Sequence, residues 1–140
     1  MITKYSIEDL LPHAAPAILL DQVVGYGEKF AEAQINIRSE LPFFIPGKGI
    51  PAHVGLEYMA QCCGVYAGLY GKEQNEPVRL GFLLGTRNFL STMDWFAEGT
   101  TLTIRAQEDF NHDGIGRFAC AIHFNDVSIA TADLTVYQPQ

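Results

Sequence analysis

Apolar and polar positions change their period twice along this chain. Residues 17–26 are rich in Ile, Leu and Val and read as a strand. Residues 29–39 alternate, with Phe30, Ala31, Ala33, Ile35 and Ile37 falling mostly on one face at a period of two. The two segments predict a hairpin, with Gly25-Tyr26-Gly27 turning the chain between them. Ahead of them, Ser6 to Leu11 predicts a short capped helical turn. Ser6 is its N-cap, Asp9 takes the capping-box position and Pro12 ends it. Residues 41–51 hold Pro42, Pro46, Gly47, Gly49 and Pro51, a density that predicts a loop without regular structure.

From residue 52 to about residue 71 the period lengthens to that of a helix. Ala60, Gly64 and Gly68 recur every four residues, with Gly55, Ala67 and Gly71 nearby. A glycine inside a helix costs about 1 kcal/mol against alanine, so this stripe implies close approach to a surface that wraps around the helix. Leu56, Met59, Val65, Tyr66 and Leu69 cover the remaining faces, which predicts a buried helix. Strand patterns follow: residues 78–84, ending at Gly85, a short extended piece within 88–96, then 100–107, 117–124 and 127–137. Asn111-His112-Asp113-Gly114 and Asn125-Asp126 supply the turns. Two strands, one long helix, then three or four antiparallel strands predict an α+β chain in which a curved antiparallel sheet wraps around a central helix. This is the hotdog arrangement, here a single domain over residues 1–140. Such sheets pair edge to edge, so a dimer is expected.

Composition narrows the function. Of 140 residues, 48% are hydrophobic and 18% charged, as in a globular protein. The net charge is −7 and the nine Lys and Arg do not cluster, which argues against nucleic acid. No apolar run reaches membrane-span length and no secretory leader is legible, so a cytoplasmic location is expected. Cys62, Cys63 and Cys120 show neither a CxxC nor a metal-ligand spacing, and buried reduced thiols are expected, with no metal.

Three segments carry a resemblance. Leu11-Pro12-His13-Ala14-Ala15-Pro16, with Leu19-Leu20-Asp21-Gln22-Val23, resembles the opening of the FabA/FabZ dehydratases of fatty-acid synthesis. Residues 50–61, IPAHVGLEYMAQ, are similar to their loop-to-helix motif. Gly85-Thr86-Arg87-Asn88-Phe89, with Gly99 before Leu102, resembles the stretch after their helix. Within that group the pattern is most similar to the ApeP dehydratases associated with aryl polyene lipids. The resemblance implies a 3-hydroxyacyl-ACP dehydratase, with the substrate on the phosphopantetheine of an acyl carrier protein and no other cofactor. The carrier is itself acidic and would need a local basic patch on this acidic chain.

Dehydration of a 3-hydroxyacyl thioester needs a base at C2, an acid at the C3 hydroxyl and donors for the thioester oxygen. The resemblance puts Glu57 at the helix carboxylate position. A carboxylate in a buried helix is costly unless partnered or protonated, which favours a functional role over an interface or a structural pair with His53. Backbone N–H groups of Ala52 and His53, at the helix start after Pro51, would form the oxyanion hole. The loop histidine of the motif lies about fourteen residues before the carboxylate. That position here is Phe43, flanked by Pro42 and Phe44. Two repairs remain open. His53, four residues before Glu57 on the same helix face, could complete an acid–base pair. Alternatively a second hotdog dehydratase chain could donate its histidine across a heterodimer.

Gln61 is a candidate support for Glu57, or a cap for buried backbone groups. His13 is expected to fix the N-terminal segment. Phe43, Phe44 and Phe89 are the acyl-tunnel candidates, with Tyr58 and Tyr66, and Arg87 and Lys48 are the candidates for the carrier phosphate. A hotdog thioesterase and a non-catalytic acyl-ACP-binding subunit are the competing readings, because one fold hosts several chemistries.

Overall fold

The computed structural model describes residues 5–11, 18–77 and 81–139. Among these, the elements run α1 (Ile7–Leu10), β1 (Gln22–Gly27), β2 (Phe30–Asn36), β3 (Ile50–Pro51), a 3-10 turn (Ala52–Val54) and α2 (Gly55–Glu73). β4 (Phe82–Ser91), β5 (Trp95–Phe96), β6 (Thr101–His112), β7 (Ile115–Phe124) and β8 (Val127–Tyr137) follow. Six antiparallel strands form one sheet in the order β1-β2-β6-β7-β8-β4, and β3 pairs with β5 apart from it.

Alternation builds the sheet as expected. Leu102, Ile104 and Ala106 of β6, Phe118, Cys120 and Ile122 of β7, and Ala132 and Leu134 of β8 are all buried. α2 lies across β2, β6, β7 and β8. It buries Tyr58, Met59, Cys62, Val65, Tyr66 and Leu69. Each such large apolar side chain contributes roughly 1.5–3 kcal/mol. The tight turns use residues that accept a positive φ: Asp113 (53°) with Gly114 (80°), and Asn125 (51°) with Asp126 (64°). Asp21, from the opening motif, accepts the Asn36 N–H at 2.7 Å and pairs with Arg38 at 3.0 Å, tying the start of β1 to the end of β2. The α1 turn is capped as expected, with the Asp9 carboxylate accepting the Ser6 N–H at 3.3 Å.

Four local expectations are corrected. The hairpin turns at Glu28-Lys29, where Lys29 has φ 66°, and not at Gly25 to Gly27, which lie in β1. At Gly27 a Cβ would run into the Phe30 ring, so the glycine serves packing. The segment 41–51 is ordered rather than irregular. Ile45 bridges to Gly49, and Ile50–Pro51 pairs with Trp95–Phe96. Gly49, at φ 108°, is needed because the Phe96 carbonyl occupies the space of its missing side chain. The strand after the helix does not end at Gly85. β4 runs on to Ser91 through irregularities between Leu83 and Gly85 and between Arg87 and Leu90, where Asn88 adopts φ 57°. Break residues in the sequence therefore mark bulges.

The fourth correction concerns the small-residue stripe. Only Gly55 meets the sheet side, near Ile122 and Phe96. Gly68 packs on the backbone of α1, where a Cβ would strike the Leu10 carbonyl oxygen, and a Cβ at Gly64 would come within 2.8 Å of Leu11 Cδ2. A Cβ at Gly71 would meet nothing closer than 3.9 Å. Gly68→Ala should therefore destabilise the protein by roughly 1–3 kcal/mol, because backbone cannot move aside as a side chain can. Gly71→Ala should stabilise it by up to about 1 kcal/mol through helix propensity. Paired urea unfolding curves check both signs.

Candidate active site

One face of α2 is left uncovered. Glu57, Ala60, Gln61, Gly64, Ala67 and Gly71 recur at helical spacings of three and four and together line a groove of about 1020 Å³. The facing wall is the concave side of the sheet, with Gly116, Phe118, Val136 and Glu108. The far end carries Tyr26, Tyr66, Tyr70, Glu73 and Asn111. Small residues on the helix are what leave this volume open.

Glu57 sits in the first turn of α2, at one end of the groove. The expected burial is not seen: Glu57 is exposed in the lone chain, because α1 and the sheet cover other faces of α2. His53 is exposed too and belongs to the 3-10 turn rather than to α2. Among the described residues no ion pair or hydrogen bond joins the two. The Ala52 N–H is donated to the Asp94 carbonyl at 2.9 Å as part of the β3–β5 arrangement. That removes Ala52 from the expected oxyanion donors and leaves the His53 N–H.

The supporting residues divide. Gln61 is buried, lines the groove and accepts the Leu19 N–H at 2.8 Å, so it caps backbone. His13 lies outside the described residues. Of the tunnel candidates, Tyr66 lines the groove, whereas Phe43, Phe44, Phe89 and Tyr58 do not. Phe44 and Phe89 pack against the core, and Tyr58 is buried within it. Phe43 is 61% exposed at φ 72° in the segment before β3. Arg87 is exposed on β4. Lys48 stands 5.1 Å from the Trp95 ring centre and is outside the groove lining. Among the described residues no cluster of His, Cys, Asp and Glu could hold a metal. The three cysteines are buried and free. Cys63 and Cys120 touch at 3.7 Å between sulfurs, and burial pushes the Cys63 thiol well above its ordinary value.

Two features went unnoticed in the sequence. The first is Glu108. It continues the inward register of Leu102, Ile104 and Ala106, and it is 9% exposed in the groove wall. A carboxylate on the apolar phase of an alternating strand was the available signal. Burial raises its pKa above the usual carboxylate value, while the Asn111 hydrogen bond and Lys29 oppose the rise. The second is the polar end of the groove, where the Tyr26 hydroxyl donates to Glu73 Oε1 at 2.5 Å. The Tyr66 phenol there is pushed up to about 12, first by burial and then by the Glu108 carboxylate.

β4 is an edge strand of the sheet, paired with β8 alone. It is exposed nearly throughout, including Phe82 (47%), Leu83 (43%), Leu84 (58%) and Leu90 (68%). A long apolar edge of this kind is usually paired with another chain.

A curved antiparallel sheet over one helix, with a carboxylate in the helix's first turn and a groove running from it, defines a hotdog protein. The ApeP-like family, described as "ApeP dehydratase", matches residues 5–140, so this chain belongs to that family. The FabZ 3-hydroxyacyl-[acyl-carrier-protein] dehydratase of Yersinia enterocolitica is 40% identical over 84 residues, covering 56% of this chain and 49% of its own length. The chain thus spans about half the length of the curated relatives it matches. The dehydratase heterocomplex ApeI:P from Xenorhabdus doucetiae aligns at a TM-score of 0.93 with 29% identity, over 99% of this chain and 93% of that one. The PaaI protein of the E. coli phenylacetic acid degradation operon aligns at 0.65 with 12% identity, over 82% and 80%, and shares the fold. No helix among the described residues is long and apolar enough to cross a membrane.

The raised Glu108 pKa has a stability consequence. The folded state holds that proton more tightly than the unfolded chain, so folding stability from this group falls as pH rises through 4.5 and the higher folded value. Glu108→Gln removes the penalty. Its stability relative to the parent should therefore grow from acid towards neutral pH in thermal melts; a gain independent of pH would contradict the assignment.

Proposed function

We propose that this chain, working as one domain over residues 1–140, is a subunit of a cytoplasmic 3-hydroxyacyl-thioester dehydratase. Its substrate rides on the phosphopantetheine of an acyl carrier protein, and no other cofactor is required. The observation that carries this is Glu57, placed in the first turn of α2 at one end of an open groove, in a chain of the ApeP-like family.

The elimination asks little beyond acid, base and charge stabilisation. A base takes the C2 proton, the C3 hydroxyl leaves as water with a proton from an acid, and the electron pair forms the C2=C3 bond. In our reading Glu57 is the carboxylate partner at C2 and C3. The His53 N–H, at the positive end of α2, receives the thioester oxygen as enolate charge develops. The acyl tail lies along the small-residue face of α2. Covering that mouth with a second subunit would strip water from Glu57 and strengthen its interactions.

The histidine is supplied, in this account, by a second hotdog chain docked along β4. The exposed, undirected His53 and the exposed Phe43 at the family's histidine position favour this over a complete site within one chain. ApeI:P is a dehydratase heterocomplex, which supports the same arrangement here. A homodimer using His53 is the second reading. Arg87, exposed on β4, and Lys48 on the segment before β3 remain our candidates for the carrier phosphate.

The purified protein should give little 2-enoyl product by mass from 3-hydroxyacyl-ACP, and adding a histidine-bearing hotdog dehydratase should restore turnover. Glu57→Gln should then cost at least about hundredfold in kcat, the scale of one general acid–base group. Turnover by the homodimer that is lost in His53→Ala would instead favour the single-chain site. Thiol release without enoyl product would point to the thioesterase, and tight acyl-ACP binding without turnover to a binding subunit.

A further inference from the structure

The groove is apolar along most of α2 but not at its far end. Among the described residues only Gln61 and Glu108 are buried polar or charged side chains. Gln61 spends its carbonyl on the Leu19 N–H. Glu108 differs: its Oε2 accepts from Asn111 Nδ2 at 3.2 Å, and among the described residues Oε1 takes no hydrogen bond. No enclosed side-chain oxygen or nitrogen among the described residues lacks a partner, so Oε1 faces open space, which here is the groove. A carboxylate oxygen beside Tyr66 and Phe118 loses its water when a bound chain fills the groove, which is costly unless that chain donates to it.

From Glu57 to Tyr66 is nine residues of α2, or about 13 Å along its axis, a distance spanned by roughly ten to twelve chain carbons. We infer that Glu108, held by Asn111, is a specificity-determining residue that accepts a hydrogen bond from a donor at the far end of the acyl chain. The groove thereby selects chains ending in a hydroxyl or similar donor over plain alkyl chains. The inference rests on the reading of the groove as the acyl site. It assigns no part of the chemistry to Glu108, which stands away from Glu57. Discrimination follows from the asymmetry of buried hydrogen bonds: an alkyl terminus strips water from Glu108 and returns nothing, whereas a hydroxyl restores the bond.

The test is binding, which does not depend on turnover. Dodecanoyl-, ω-hydroxydodecanoyl- and ω-methoxydodecanoyl-pantetheine are titrated calorimetrically into the full chain, alone and with its hotdog partner. The hydroxyl compound should bind about tenfold more tightly than the other two, the scale of one hydrogen bond to a charged group. Glu108→Leu should abolish that preference while binding the dodecanoyl compound at least as well. Asn111→Ala, a surface change that spares folding, should weaken the preference. Equal binding of all three compounds, no binding of any, or a hydroxyl preference that survives Glu108→Leu would each overturn the inference. Dehydration without hydroxyl preference sinks this inference alone, and hydroxyl preference without dehydration sinks the proposed reaction alone.

Discussion

The approach of α2 to its neighbours governs the rest of the molecule. The helix must be covered on most sides, because Tyr58, Met59, Cys62, Val65 and Leu69 cannot face water without large cost. The sheet covers one side. On another, α1 comes so close that Gly68 has no room for a side chain against the Leu10 carbonyl. What remains is the face carrying Glu57, Ala60, Ala67 and Gly71, bordered by Gly64 against Leu11, and this face lines the open groove. Glycine is poor for helix propensity, and tertiary packing offsets that deficit. The same choice of residues that permits close packing thus leaves a groove.

That groove gives the two ends of α2 different chemistry. At the N-terminal end, backbone amides and the partial positive charge of the helix sit beside an exposed carboxylate. At the other end, tyrosines and the carboxylates of Glu73 and Glu108 line the groove together, and burial favours the neutral forms of the Tyr66 phenol and the Glu108 carboxyl. In the proposed reading, reaction chemistry and chain recognition are separated by about half the length of the helix. The apolar edge of β4 gives the groove's open mouth a neighbour, since a second sheet paired there would extend this one.

The sequence makes the period changes legible, and with them β2, α2, β6, β7 and β8. Residues 100–137 alternate over most of their length because one face of each strand is buried, and the alternation breaks at the register shifts after Glu108 and Ile122. Bulges were not legible: Gly85 and Asn88 carry the same signal whether they end a strand or bend it. Nor was the pairing of Ile50–Pro51 with Trp95–Phe96, a contact between residues far apart in the chain and too short to show a period. The N-cap chemistry of α1 could be read because it is local. Glu57 was found through resemblance, and its burial was misjudged because a stripe of small residues can mean either close packing or open space. The resemblance and helix-end geometry both offer the Ala52 amide to substrate, but the Asp94 carbonyl, far away in sequence, accepts it. Phe43 shows the opposite case, since the missing histidine was plain from counting residues.

The most direct measurement is a crystal structure of this chain with a histidine-bearing hotdog dehydratase and a non-reacting 3-hydroxyacyl amide analogue of the proposed substrate. The account predicts the analogue's C2 and C3 between the Glu57 carboxylate and a histidine from the other subunit, with the acyl tail running past Ala60, Gly64 and Ala67. An analogue seated elsewhere, with the α2 groove empty and Glu57 in solvent, would contradict it.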